Sequence, residues 1–510
     1  MPESIPSTCP PISSPGATPA YDDLAQRSRR AWRLEHLSAL ASWDQAANMP
    51  PKGSEARAAA LAEVGTLLHG LATDPALKLL LGCAEKEPLD DFQRAVLREM
   101  RRDWIANNAL PSRLVEARSL ASSRCEHAWT TQRPANDWAG FAPNLRTVVE
   151  LAREEAQCLS QATGLAPYDA LIDRFEPGMT SAEMDRIFGD LRGWLPELIT
   201  RVRERQAGEV VLRPQGPFDR AQQKQLGKAA MALLGFDFDG GRLDESPHPF
   251  SGGVPEDVRL TTRYLDDDLQ QGLYGVIHET GHARYEQNLP RDWLGLPVGR
   301  ARSYGLHESQ SLAFEMQLGR HPGFIAQLLP LIEARFGRQE AFAPENLARL
   351  LTRVSPGLIR VDADELTYPA HVMLRFEIER ALIGGEIEVD DIPELWNRKM
   401  ADYLGLDTRG NHRDGAMQDV HWPSGAFGYF PCYTLGAMYA AQWFATMRRA
   451  TPNLDARITA GDLSPVFNWL RDHIWSQGSR WTTPELVRRT SGEALNPAHY
   501  RAHLERRYLG

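Results

Sequence analysis

His278-Glu279-Thr280-Gly281-His282 is flanked by Leu269-Gln270-Gln271-Gly272-Leu273-Tyr274-Gly275-Val276-Ile277 and by Ala283-Arg284-Tyr285-Glu286-Gln287. Leu269, Leu273, Val276 and Ile277 recur at helical spacing. Asp266, Asp267 and Asp268 stand just ahead of them, where a helix start favours negative charge. In a helix, His278 and His282 lie one turn apart on the same face, so both imidazoles can reach one metal ion. Glu279 then stands beside the open coordination position, placed to take a proton from water. This is the H-E-x-x-H arrangement of zinc hydrolases. The competing reading is a helix that carries two unrelated surface histidines.

The chain has 510 residues, 42% of them hydrophobic, which is enough for a large core. Length alone suggests about three domains, yet no convincing linker interrupts the sequence. The net charge is −10 and the basic residues alternate with acids, so no basic stripe marks a nucleic-acid partner. Cys9, Cys83, Cys125, Cys158 and Cys432 are widely spaced, odd in number and without a C-x-x-C pair. That argues against a disulfide framework and a cysteine zinc site, and fits a reducing compartment. No run of eighteen apolar residues predicts a membrane span. The N-terminus lacks the basic-then-apolar order of a secretory signal, which makes the cytoplasm the expected location.

Residues 1–20 are rich in Pro and Ser and read as a flexible tail. From Tyr21 to about Pro167 the pattern is helical, with Leu34, Leu37 and Ala41 on one face. Breaks fall at Met49-Pro50-Pro51, Glu87-Pro88 and Leu110-Pro111, as in an antiparallel helical array. Helices continue over 168–245, where Thr180-Ser181-Ala182-Glu183 reads as a capped start. His248-Pro249-Phe250-Ser251-Gly252-Gly253 reads as a loop. Residues 257–264 alternate polar and apolar and predict a strand, hence a small sheet beside the histidine motif. Residues 405–436 are rich in Gly and aromatics, a composition unusual for mere connection.

A catalytic zinc needs a third protein ligand. Glu308, early in a helix that follows a long enough loop, is the first candidate, and His307 is the alternative. Glu279 serves as general base. His421, Tyr429 and Tyr433 are candidate donors to a developing oxyanion, since Tyr and His donate without a fixed charge. If the substrate is a C-terminal residue, its carboxylate calls for arginine. Arg360 and Arg259 are candidates for that role.

Several motifs together resemble the carboxypeptidase Taq family of metallocarboxypeptidases. They are His248-Pro249-Phe250, Asp257-Val258-Arg259-Leu260-Thr261, His278-Glu279-Thr280-Gly281-His282, His307-Glu308-Ser309-Gln310, Ile359-Arg360-Val361-Asp362-Ala363-Asp364 and Gly415-Ala416-Met417-Gln418-Asp419-Val420-His421-Trp422. The segment from Trp43-Asp44-Gln45 to Lys52-Gly53 also matches, so only the first twenty residues fall outside.

The resemblance implies a mainly α, saddle-shaped, neurolysin-like fold, with two helical lobes, a deep groove and a small β-sheet beside the metal. It makes 21–510 one catalytic domain. It further implies a homodimer that uses zinc, which cobalt can replace, and that removes C-terminal residues from peptides with broad specificity. The family's third ligand falls on Glu308, its carboxylate-binding Arg on Arg360, and its aromatic loop on Tyr429 to Tyr433, with Tyr433 favoured as the oxyanion donor. An endopeptidase or dipeptidyl carboxypeptidase on the same fold remains the alternative activity, and a helical interaction protein that kept the pattern is a second.

Overall fold

The computed structural model describes residues 9–10, 16–247 and 249–510. Among these, twenty α-helices and one three-stranded sheet form the mainly helical architecture expected from the sequence. Among the described residues, no helix is long and apolar enough to cross a membrane.

The first helix spans Pro19–Ala47, two residues ahead of the expected boundary. Its opening amides, Ala20 and Tyr21 N–H, donate to the Glu87 carboxylate at 2.8 and 3.0 Å, which satisfies groups a helix start leaves unpaired. The cysteine reading needs correction. Cys9 and Cys83 form a disulfide across 74 residues, while Cys125, Cys158 and Cys432 are free. The bond ties the segment before the first helix to the buried helix Ala76–Ala84. Spacing gave no hint of it, because the partners meet only once the N-terminal helices have packed.

Two apolar cores organise the helices. The smaller joins the helices Pro19–Ala47, Ala76–Ala84 and Asp91–Asn108 through Leu24, Leu80, Val96 and Met100, together with Leu296 and Val298. The larger runs from Cys125 to Tyr508 and takes in most of the remaining helices. Proline and capping residues set the boundaries as read. Thr180 accepts the Glu183 amide at 3.2 Å, and Asp268 accepts that of Gln271 at 3.0 Å.

The expected sheet is present. It consists of β1 (Gly241–Glu245), β2 (Phe250–Val254) and β3 (Asp257–Thr262), in the order β1-β3-β2. β3 is parallel to β1 and antiparallel to β2. β1 falls at the end of the stretch expected to be helical, and β2 overlaps the expected loop. Their glycines and charges hide the two-residue alternation that marked β3. His248, between them, lies outside the described residues. Leu243, Val258 and Leu260 of the sheet pack on Val276 and Ala283. The sheet is therefore a platform for the helix Leu269–Gln287, which carries the histidine motif.

Candidate metal centre

The motif helix Leu269–Gln287 is buried on nearly every side, with Leu273, Val276, Ile277, Ala283 and Tyr285 in the core. A second helix, Tyr304–Leu312, crosses it. They meet where Gly281 lies against Gln310, and a Cβ at Gly281 would overlap the Gln310 carbonyl. On the other side of the second helix lies a third, Pro431–Ala450. There a Cβ at Gly436 would stand 2.7 Å from Glu308 Cγ. Two absent methyl groups let the helix bearing Glu308 fit between its neighbours.

His278, His282 and Glu308 meet here, with one ligand atom from each inside a 4.8 Å span. Glu308 Oε2 lies 3.5 Å from His282 Nε2 and 4.0 Å from His278 Nε2. Ligand atoms held about 2.0–2.1 Å from a tetrahedral centre stand roughly 3.3–3.5 Å apart, so the set fits an ion of that size with little adjustment. Glu279 is 7% exposed and lines the same pocket.

A second set of groups orients these three side chains. His278 Nδ1 lies 2.8 Å from Glu315 Oε2, which leaves Nε2 free for an ion. Glu315 belongs to a π-helical turn, Ala313–Leu318, that continues directly from the helix of Glu308. Such wide turns recur at functional sites because they re-aim side chains. His282 Nδ1 faces His307 Nδ1 at 2.6 Å, and His307 Nε2 faces Glu286 at 2.8 Å. His307 thus stands behind His282, outside the His-His-Glu cluster. Sequence reading missed Glu315 and Glu286. The signal for Glu286 was available, since it sits one turn after His282 on the same helix.

The electrostatics favour a cation. Burial disfavours charge on His278, but the hydrogen bond to Glu315 and the carboxylates of Glu308, Glu315 and Glu279 outweigh it and raise its pKa to about 10. Burial lowers that of His282 despite the nearby Glu308, with His307 and His278 adding to the effect. The Glu308 carboxyl is held below its usual range because the imidazoles outweigh its burial. The positive charge these carboxylates attract can be supplied by a proton or by a metal ion, and the two compete.

The pocket, about 630 Å³, lies between the two apolar cores. Glu99, Arg102 and Asp103 line one wall, and Tyr304, Tyr429 and Tyr433 line another, with Phe250 and Ser251 of β2 beside them. The rings of Tyr429 and Tyr433 are 5.3 Å apart. His421 Nε2 is 3.3 Å from the Tyr433 hydroxyl. Burial pushes the pKa of His421 down to about 4, so at neutral pH it is an uncharged partner that orients Tyr433.

Neither candidate arginine lines the pocket. Arg360 is 4% exposed and engages Asp419 through Nε and Nη2, and Tyr368 through Nη1. Its guanidinium carbon lies 4.9 Å from the Tyr433 ring centre, one side chain behind the wall. Arg259 is farther from this role. Its fork is bound to Asp257 at 2.8 and 2.9 Å, and its guanidinium, like that of Arg242, lies against the Trp43 ring. It is absent from the pocket lining. The structure makes it a strut between the first helix and the sheet.

Comparison with known proteins agrees with this geometry. The family described as carboxypeptidase Taq (M32) metallopeptidase matches residues 23–508. Thermostable carboxypeptidase 1 of Thermus thermophilus is 39% identical over 504 residues, covering 96% of this chain and 98% of that protein. Carboxypeptidase 1 of Bacillus subtilis is 34% identical over 483 residues, 93% and 96% of the two chains. Among solved structures, metallocarboxypeptidase 1 of Trypanosoma cruzi superposes with a TM-score of 0.95 at 48% identity, covering 97% of this chain and all of that one.

Proposed function

This chain belongs to the carboxypeptidase Taq (M32) family of metallopeptidases, and from that premise we propose how its residues divide the work of releasing C-terminal amino acids from peptides. The observation that carries the reading is the convergence of His278, His282 and Glu308 beside Glu279. Two imidazole nitrogens and one carboxylate oxygen suit zinc, with cobalt able to replace it. Bound there, the ion supplies a Lewis acid that acidifies water and polarises the scissile carbonyl. Glu279 takes a proton from the attacking water and passes it to the leaving amine. Tyr433, oriented by uncharged His421, donates to the developing oxyanion, and Tyr429 packs beside it against the substrate.

Arg360 receives the terminal carboxylate. Of its five N–H groups, three are committed to Asp419 and Tyr368, which leaves two for a paired contact past the edge of Tyr433. The aromatic wall of Phe175, Tyr304, Tyr429 and Tyr433, which offers contact without a fixed charge, supports broad specificity at the released residue. We further propose that 21–510 act as one catalytic domain, that the enzyme is a homodimer, and that it works in the cytoplasm.

The test is a library of peptides with free or amidated C-termini, digested with and without chelator and read by mass spectrometry. Single-residue release from free termini only, abolished by chelator and restored by zinc, is the expected result. Equal cleavage of amidated peptides would replace this reading with an endopeptidase.

A further inference from the structure

Glu176 follows Phe175, a residue of the pocket wall, and is completely buried. Its carboxylate accepts from Ser303 Oγ at 3.0 Å, from the Gly305 N–H at 3.0 Å and from the Tyr439 hydroxyl at 3.3 Å. The nearest cation, Arg302, gives its guanidinium to Glu99 at 2.8 Å instead. Burial pushes the carboxyl up to about 7 in spite of its three donors. A charge kept out of water in this way is costly unless its hydrogen bonds do something for the fold or the site.

The three donors share one property, in that each belongs to an element that aims a site residue. Ser303 is the N-cap of the helix Tyr304–Leu312, and Gly305 lies in its first turn, one turn ahead of Glu308. The Tyr304 N–H is fixed to the Phe175 carbonyl at 3.1 Å. Tyr439 lies on Pro431–Ala450, the helix that carries Tyr433 and whose Gly436 packs against Glu308. Gly305 has no room for a Cβ, which would collide with Glu176 Oε2. The carboxylate therefore abuts the helix backbone directly.

We propose that Glu176 is a positioning residue for the metal centre. It sets the height of the helix Tyr304–Leu312 and so the point at which Glu308 meets His278 and His282. The proposal rests on Glu308 being the third ligand.

The test compares Glu176→Ala, Glu176→Gln, Gly305→Ala and the double variant Glu176→Ala/Gly305→Ala with Glu308→Ala as a control. The readouts are the zinc dissociation constant by chelator competition and the visible spectrum of the cobalt-loaded protein, with circular dichroism as a check on folding. Glu176→Ala should weaken zinc about 10- to 100-fold and alter the cobalt spectrum, as loss of outer support for a ligand does. Glu176→Gln should stay within about threefold of the wild type. The Ser303 and Tyr439 hydroxyls can turn to accept from the amide while its oxygen keeps the Gly305 N–H. Gly305→Ala should weaken zinc as Glu176→Ala does, and the double variant should be no worse than the poorer single one, since both act on one contact.

Wild-type affinity and spectrum in Glu176→Ala, or strictly additive losses in the double variant, would overturn the inference. If Glu176→Ala does not fold, Gly305→Ala decides, and unchanged zinc binding there overturns it equally. Zinc binding that survives Glu308→Ala would sink the ligand assignment itself, a failure visible apart from that of Glu176.

Discussion

The Nδ1 atoms of His282 and His307 face each other at 2.6 Å. Two ring nitrogens can lie so close only if one carries the proton and the other does not. His307 Nε2 faces the Glu286 carboxylate, which can only accept, so His307 carries its proton there. Its Nδ1 is then the acceptor for His282 Nδ1–H, and His282 Nε2 is left with its lone pair toward Glu308. A chain that ends on Glu286 thus selects the metal-binding tautomer of His282. His307→Ala should weaken zinc binding about 10- to 100-fold while leaving all three ligands in place. Chelator competition measures it, and unchanged affinity would remove His307 from this role.

Glu279→Gln separates base from ligand. The amide keeps the size of the side chain but cannot take a proton. Metal content should stay at one ion per chain while kcat falls by at least about 10²- to 10⁴-fold, the usual worth of a positioned base. Metal analysis and turnover on the same preparation check it. A variant that loses its metal would instead place Glu279 among the groups that hold the ion.

Arg360→Ala should raise KM for free-carboxylate peptides and erode the preference over amidated ones. It also strips a partner from Asp419, which Arg375 alone then holds at 2.6 Å, so some stability is lost too. Arg360→Lys keeps the charge but not the fork, and should recover stability more than KM. If the preference for free termini survives both changes, the carboxylate is held elsewhere, and Arg102, Arg174 and Arg300 on the pocket wall are next to examine.

Glu379 gives a pH signature. It is wholly buried and accepts from Tyr168, Trp422 Nε1 and the Gly428 N–H, which brace the loop bearing His421 and Tyr429. Burial pushes its pKa up to about 7 against those bonds. In the unfolded chain such a group titrates near about 4.3. Between these values the folded state holds a proton that the unfolded state has released, so this contribution to stability falls as pH rises and is fully lost above the folded pKa. Glu379→Gln has no such proton, but its NH2 meets either Trp422 Nε1–H or the Gly428 N–H, a clash of donors costing about 1–3 kcal/mol. The penalty of the variant, from urea melts, should be largest near pH 5 and shrink by on the order of 2–3 kcal/mol by pH 8. A penalty independent of pH would contradict this account.

Much of the site was legible because its key spacings are local. The offset of His278 from His282 needs only one helix, and the acid run before Leu269 announces where that helix begins. Glu308 was harder, since a helix-start Glu has an ordinary use, and only its place beside His278 and His282 distinguishes it. Glu315 depends on a π-turn, a change of a few degrees per residue that leaves no mark in the hydrophobic pattern. The Cys9–Cys83 bond, the contact of Arg259 with Trp43 and the burial of Arg360 against Asp419 are long-range pairings. No spacing rule reaches them, since each partner alone reads as an ordinary surface residue.

The contacts at Gly281 and Gly436 also bear on ionic radius. Gly281 sets the spacing of the motif helix from the helix of Glu308 through Gln310, and Gly436 sets the other flank through Glu308 Cβ and Cγ. Calcium takes six to eight oxygens at about 2.3–2.6 Å, whereas the His278, His282 and Glu308 cluster offers two nitrogens and one carboxylate. Replacing either glycine should shift one helix against the next and so loosen the cluster's fit to a small ion before it touches the chemistry.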